Sequence, residues 1–233
     1  MGKELQIFET AMSSASTTVY SDRQITAWLR GLLTIAWADG HFDAEEQELI
    51  TRLTQDELAP HSSLGDLEPI TGQELAADLG EDLNTRENFL RTAVMMAIAD
   101  GVYSIVEADQ IKAFGKALGV DLSALHNLEK TLYDPETVTT ETPQPEVHLD
   151  ALKPIRNWLD GMDIDDPRVA RFICKMVPPQ CPFERDVKLF GKKIVHIPPM
   201  CKLNPLYEQL VGLRFRSLSY LADDCDEDIS EFI

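Results

Sequence analysis

From Asp22 onward the apolar positions Ile25, Trp28, Leu29, Leu32, Leu33 and Ala36 fall three and four residues apart, the period of a helix with one buried face. Gly40 ends this helix from the C′ place. Asp43 and Glu46 have the spacing of a capping box and open a second helix running to about Leu58. Upstream, residues 3–20 start as an amphipathic helix and dissolve into Ser13-Ser14-Ala15-Ser16-Thr17-Thr18. Pro60, Gly65 and Pro69 mark a loop, and residues 72–80 read as a short helix. Asn84 or Thr85 caps a strong helix through Ala99 that stops at Gly101. Ser104 with Glu107 is a further capping box, the helix from Ile105 stops at Gly119, and residues 122–133 make one more helix.

The period then vanishes. Asp134 to Glu146 holds three prolines, several threonines and glutamates and no large apolar cluster, which predicts an extended linker. Helical spacing resumes with Leu152, Ile155, Trp158 and Leu159, closed by Gly161. Pro167 takes a first helical position after Asp165-Asp166, and Val169, Phe172, Ile173 and Met176 line the helix that follows. Val187 and Leu189, then Ile194, Val195 and Ile197, predict a β-hairpin turning at Gly191-Lys192. Pro205 starts a final helix with Leu206, Leu210, Leu213, Leu218 and Leu221 on its apolar side.

One stretch occurs twice. Ala36-Trp37-Ala38-Asp39-Gly40 returns as Ala97-Ile98-Ala99-Asp100-Gly101, and Glu46 returns as Glu107. The same offset pairs Leu29 with Leu90, Arg30 with Arg91, Leu33 with Val94 and Ile50 with Ile111. The first half therefore reads as two copies of a helix–Asp-Gly turn–helix unit packed as one bundle. The expected fold is mainly α. A duplicated helical bundle over residues 1–133 is followed by a linker over 134–148 and a small α-rich domain with a hairpin over 149–233.

Charge separates the halves. The chain of 233 residues carries a formal net charge of −19. Residues 150–233 hold 12 of the 21 Lys+Arg and 14 of the 40 Asp+Glu, so the deficit lies almost entirely in residues 1–149. Six acids of the second half sit in its tail, Asp223, Asp224, Asp226, Glu227, Asp228 and Glu231, and residues 150–221 are net positive. An acidic first half repels nucleic acid and anionic membrane, and attracts cations or a basic protein face. The two halves are also expected to attract each other. No apolar run approaches the roughly 18 residues that span a bilayer, and the N-terminus lacks the n- and h-regions of a secretory signal, so a cytoplasmic protein without membrane insertion is expected.

The Asp-Gly turns carry the candidate chemistry. Asp39 and Asp100 sit in the last turn of a helix, where the macrodipole disfavours a carboxylate by a few tenths to about 1 kcal/mol. Two readings stay open. Each carboxylate accepts N–H bonds within its own turn, with Glu46 and Glu107 acting as caps. Alternatively, Asp39, Asp43, Glu46, Asp100 and Glu107 supply oxygen ligands to a divalent cation, calcium, magnesium or manganese. The alternate-residue ladder of an EF-hand is not present, and Ser104 and Val106 replace Asp43 and Glu45 in the second copy. The duplicated Ala-x-Ala-Asp-Gly-x-x-x-x-x-Glu unit, over roughly residues 10–133, resembles the TerB-like domain of tellurite-resistance proteins. The resemblance implies an all-α bundle, an acidic surface and divalent-metal binding by the same five acids. It implies no enzymatic activity.

All four cysteines lie in the second half, at Cys174, Cys181, Cys201 and Cys225, and no pair is spaced C-x-x-C. They read either as reduced, partly buried thiols or, with His196, as ligands of zinc or an Fe–S cluster. The basic residues there, among them Arg168, Arg171, Lys192, Lys193 and Arg214, have few aromatics between them, which argues against nucleic acid and for a protein or internal acidic partner. The run from Pro167 to Lys175, then Pro179-Gln180-Cys181-Pro182-Phe183-Glu184-Arg185, then His196 to Tyr207 resembles the family labelled Mo-dependent nitrogenase C-terminus over about residues 160–230. No nitrogenase ligand set and no Gly-x-x-x-x-Gly-Lys phosphate loop accompanies it, so membership and not nitrogenase activity is what the resemblance implies. The five histidines are scattered singly, and no Ser-His-Asp set can be assembled. The function expected is that of a non-enzymatic adaptor or accessory protein in metal stress or complex assembly. The alternative is a metalloprotein or redox factor centred on the cysteines.

Overall fold

The computed structural model describes residues 19–38, 68–98, 103–126, 128, 152–177, 185–189, 192–197 and 204–233. Within them the protein is mainly helical. In chain order come α1 (Asp22–Ala36), α2 (Gly72–Leu79), α3 (Leu83–Ala97), α4 (Ile105–Leu118), α5 (Lys153–Asp160), α6 (Pro167–Met176) and α7 (Tyr207–Ser219). A short 3-10 turn at Ser123–Leu125 follows α4, and a π-helical turn at Tyr220–Asp224 continues α7.

Local sequence sets the helix starts. Ser21 with Gln24, Thr71 with Glu74, and Ser104 with Glu107 each form a reciprocal capping box, satisfying N–H groups that a helix start leaves without partners. The cap of α3 is Asp82, two to three residues earlier than the sequence suggests; its carboxylate accepts from Thr85 N and Thr85 Oγ1 at 2.8 and 2.7 Å. Gly119 ends α4 in the left-handed region with φ +69°, a conformation that costs a Cβ-bearing residue about 1–2 kcal/mol. Of the helix expected over 122–133, the described part is the single 3-10 turn. The N-terminal helix as far as residue 18, the helix from Asp43 to Leu58, Gly40, Gly101 and the Pro-rich linker lie outside the described residues.

α1 to α4 pack on one another as a bundle. A ladder of rings runs through it: Tyr20 to Trp28 (centroids 5.1 Å apart), Trp28 to Phe89 (5.7 Å, edge-to-face) and Phe89 to Phe114 (6.0 Å). The internal repeat is visible in this core. Leu29 and Leu33 of α1, and Leu90 and Val94 of α3, are all fully buried, as is Ile111. The repeated arginines both satisfy carbonyls, Arg30 those of Glu68 and Pro69, Arg91 that of Trp158.

The second half forms a further layer in which α7 packs on α5 and α6. Beside a small cluster of its own (Ala170, Cys174, Leu221 and Phe232), most of its buried residues share the core of the first half. Leu152, Ile155, Leu159, Val169, Phe172, Leu206, Leu210 and Leu213 join the same buried cluster as Trp28, Leu33, Phe89 and Phe114. Polar bonds cross the seam as well. Asn204 donates Nδ2 to the Ile98 carbonyl at 2.7 Å, meeting an acceptor at the C-terminal end of α3 from the opposite half of the chain. Arg91 lies over the Trp158 ring at 5.4 Å.

The hairpin is present as β1 (Arg185–Leu189) and β2 (Lys192–Ile197), antiparallel, with Arg185 opposite Ile197 and an irregularity after Val187. Leu189 pairs with Lys192, so Lys192 belongs to the strand and not to the Gly191-Lys192 turn expected from sequence. Pro205 precedes rather than starts the last helix, whose N-cap is Leu206. Among the described residues no helix is long and apolar enough to cross a membrane.

Candidate functional site

The expected ligand sets meet the structure only in part. Asp39, Asp43, Glu46 and Asp100 lie outside the described residues. Glu107 is described, and its Oε2 accepts from Ser104 N at 3.0 Å and Ser104 Oγ at 2.8 Å, which is the capping geometry. Cys181 and Cys201 lie outside the described residues, and His196 is placed in β2 by its backbone. Cys174 is buried on α6 with its sulfur 4.0 Å from the Arg214 carbonyl, in a small apolar cluster with Ala170, Leu221 and Phe232. Cys225 sits just after the π-helical turn, beside the Tyr220 hydroxyl. Among the described residues no group of three His, Cys, Asp or Glu side chains converges as a metal site.

The densest polar constellation is at the seam, where Asp165-Asp166 leads into α6. Asp166 is the N-cap of α6, and Pro167 follows at N1, where a missing N–H costs nothing. Its side chain is fully buried, yet four donors reach it: Tyr20 N (3.2 Å), Arg168 N (2.9 Å), Arg168 Nε (3.2 Å) and Arg168 Nη2 (3.0 Å). Arg168 reaches on to the Tyr20 carbonyl at 2.6 Å and to Asp22 at 2.9 Å, so one guanidinium ties α6 to the start of α1. Behind it, Asn88 donates to the Tyr20 hydroxyl at 3.3 Å and accepts from Arg91 Nη1 at 2.9 Å. Burial pushes the Tyr20 hydroxyl well above the usual tyrosine range, against the bond from Asn88.

Asp165 behaves differently. Its carboxyl lies beside the Tyr20 phenol, and its Oδ1 is buried without a hydrogen-bond partner. Burial raises its pKa above the ordinary carboxylate value, and the nearby carboxylates of Asp163 and Asp166 push the same way. Two phenols close the site, because Tyr220 donates to the Asp165 carbonyl at 2.8 Å and is itself raised by burial and by its contact with Cys225. This is the chemistry of an acid held toward its neutral form. A catalytic acid also needs a substrate cavity, and Asp165 does not line the groove next to it.

That groove has a volume of about 330 Å³ and lies between the α5–α6 connection and the end of α7. Met162, Ile164, Phe215 and Tyr220 form its apolar walls, with Asp163 and Asp224 at the rim. Arg216 is turned inward, its Nη1 donating to the Asp160 and Met162 carbonyls at 3.1 and 2.8 Å. Phe215 stands 68% exposed, and Val211, one turn earlier on α7, is 41% exposed. The leucine stripe of this helix marks its buried side, and Val211 and Phe215 lie off it. Their spacing of four residues was the available signal in the sequence.

No curated protein and no solved structure matches the chain. A family model does match over α5, α6, the hairpin, α7 and the tail, that is, over the segment holding the groove and one side of the buried seam. Residues 151–233 match the model of the family described as Mo-dependent nitrogenase C-terminus.

Proposed function

We propose that the protein is a non-enzymatic adaptor or accessory protein that engages a protein partner through the outer face of α7. The observation that carries this is the pair Val211 and Phe215, large apolar side chains left exposed one helical turn apart beside a groove. Single exposed apolar residues are ordinary; here Phe215 lines a groove and Val211 lies one turn before it on the same helix, which supports a contact surface there. The polar seam supports the same reading, because the Asp166 carboxylate and the Arg168 guanidinium are engaged in bonds that hold helices together. The test is a photo-crosslinking amino acid at position 215, with a control at exposed Lys116 of α4, in the cells that make the protein. A discrete adduct from position 215 alone supports the adaptor. Equal adducts from both positions, or none from 215, sink it.

A finer reading concerns the acidic half. The TerB-like resemblance, a cytoplasmic setting and a role in metal stress go together with a divalent cation held by Asp39, Asp43, Glu46, Asp100 and Glu107. What supports it is the repeat itself, together with the matching burial of Leu29 with Leu90 and Leu33 with Val94. Asp39→Asn with Asp100→Asn is expected to abolish a calcium- or magnesium-dependent rise in melting temperature; an unchanged rise refutes the site. The cysteine-ligated alternative rests on the sequence spacing of Cys174, Cys181, Cys201, Cys225 and His196, and stoichiometric iron or zinc in anaerobically purified protein would move the assignment there.

A further inference from the structure

We infer that the groove beside α7 docks a basic, amphipathic peptide segment of a partner protein, with Phe215 as the apolar contact and the acidic rim as the charge partner. The inference rests on the adaptor reading and names the chemistry of the partner.

The groove is built by an irregularity in the helix. At Tyr220 the hydrogen bonding of α7 widens into a π-helical turn, Cys225 N reaching the Tyr220 carbonyl at 3.1 Å. Single π-helical turns are rare and occur frequently at functional sites. Here the widening carries Tyr220 over to the Asp165 carbonyl and leaves Asp223 and Asp224 exposed outside. Asp226, at φ 55°, then turns the chain in the left-handed region that non-glycine residues seldom adopt. The tail closes back on the fold through Arg171 to Glu227 at 2.6 Å. The rim of the groove is thereby held by the tertiary structure.

Charge selects the occupant. Asp163 and Asp224 line the groove, and Asp160, Asp223, Asp226 and Asp228 are exposed on the segments that flank it. The cation of the groove wall, Arg216, faces the backbone carbonyls of the α5–α6 connection. A second copy meeting this face with its own would bring the same acids against the rim, and phosphate-rich surfaces are repelled for the same reason. A segment with Lys or Arg on one face and an aromatic or branched apolar residue on the other satisfies both features. An amphipathic helix laid in a groove by its apolar anchors is a common mode of peptide recognition.

The experiment uses the full chain and three synthetic peptides. The first is an amphipathic helix with one Phe and two Leu on one face and Lys on the other; the second has Glu for every Lys; the third has Ser for the Phe. Binding is read by fluorescence anisotropy, and the site by methyl NMR shifts at Met162 and Ile164. The lysine peptide is expected to bind, to shift those methyls and to weaken as salt rises. The glutamate twin is expected not to bind. Phe215→Ser and the pair Asp163→Asn, Asp224→Asn are each expected to weaken binding about tenfold or more with little change in melting temperature, since Phe215 and Asp224 are on the surface and an Asn at 163 keeps an oxygen to accept from Asn84 Nδ2. Val211→Ser, at the edge of the patch, is expected to weaken it less. Equal affinity for the glutamate twin, unchanged affinity in the Phe215 variant, or no binding of the lysine peptide overturns the inference. If the position-215 adduct still forms in cells under those outcomes, the adaptor reading stands without it; if the adduct is missing too, both fall.

Discussion

Removing the Asp166 carboxylate should be far more damaging than removing that of Asp22, although both bind the same arginine. Asp166 is fully buried and Asp22 is almost fully exposed, while the Arg168 side chain between them is 11% exposed. In Asp166→Ala the guanidinium loses the fork formed by Nε and Nη2, Tyr20 N loses its acceptor, and α6 loses its cap. An N-cap alone is worth about 0.5–2 kcal/mol. Leaving one member of a buried pair without its partner costs about 3–5 kcal/mol, a figure that already contains much of the cap. The expected loss is therefore about 3–5 kcal/mol, or a melting point lower by about 6–20 °C for a chain of this size. Asp22→Ala removes a solvated partner and should cost under about 1 kcal/mol. Urea denaturation at neutral pH, followed by far-UV circular dichroism, measures both. Because Tyr20 belongs to one half and Asp166 to the other, a single transition should move as a whole. A cost below about 1 kcal/mol for Asp166→Ala, or equal costs for the two aspartates, would refute the assignment of the pair as the polar clasp of the seam.

Other expectations follow from the same packing. Gly31→Ala adds a Cβ that would lie 2.7–2.8 Å from the buried Phe89 ring, so it should destabilise by about 1–3 kcal/mol, whereas helix propensity alone predicts a gain of about 1 kcal/mol; the sign of the shift in denaturation midpoint decides. Asn204→Ala leaves the Ile98 carbonyl and the Leu206 amide without their partners and should cost about 1–3 kcal/mol in the same assay. Asp165 has a raised pKa in the folded state, so the folded state binds its proton more tightly than the unfolded chain does. Its penalty is relieved as pH falls through that raised value and is fully present above it. Asp165→Asn should accordingly gain stability relative to the parent at pH 7 and lose that advantage near pH 4, and a difference that stays constant with pH refutes it. Because an apolar cluster joins the halves, raising salt to about 0.5 M should leave the radius of gyration by small-angle scattering unchanged, in contrast to a docking held by surface charge.

Helix positions were legible because they are local. The period of Ile25, Leu29 and Leu33, the Ser104–Glu107 box and Gly119 each act within one or two turns of chain, and α1 and α4 appear where those residues place them. The cap of α3 was misplaced by two to three residues because Asp82, Asn84 and Thr85 are all good cap formers, and only the fold shows which one turns its oxygen to the Thr85 amide. Of the repeat, the described residues show equal burial of Leu29 with Leu90 and of Leu33 with Val94, while both Asp-Gly turns and Ile50 lie outside them.

The seam and the groove were not legible. Net charges of the halves suggested attraction at a distance, but what joins them is the burial of Leu152, Ile155, Phe172 and Leu213 against the aromatic ladder, clasped by Asp166 and Arg168. A hydrophobic stripe states that a face is buried and not against what. For the same reason Val211 and Phe215 looked like ordinary members of a helix until α5 and α6 covered the leucine side of α7 and left them outside. Which polar residues lie together is decided by contacts between positions far apart in the chain, such as Tyr20 with Asp166 and Ile98 with Asn204. By itself the sequence determined where most of the described helices lie to within a few residues, that a unit repeats and where charge accumulates. Only the tertiary structure decided which faces were covered, because pairing between faces depends on the packing of the whole chain and not on any window of it.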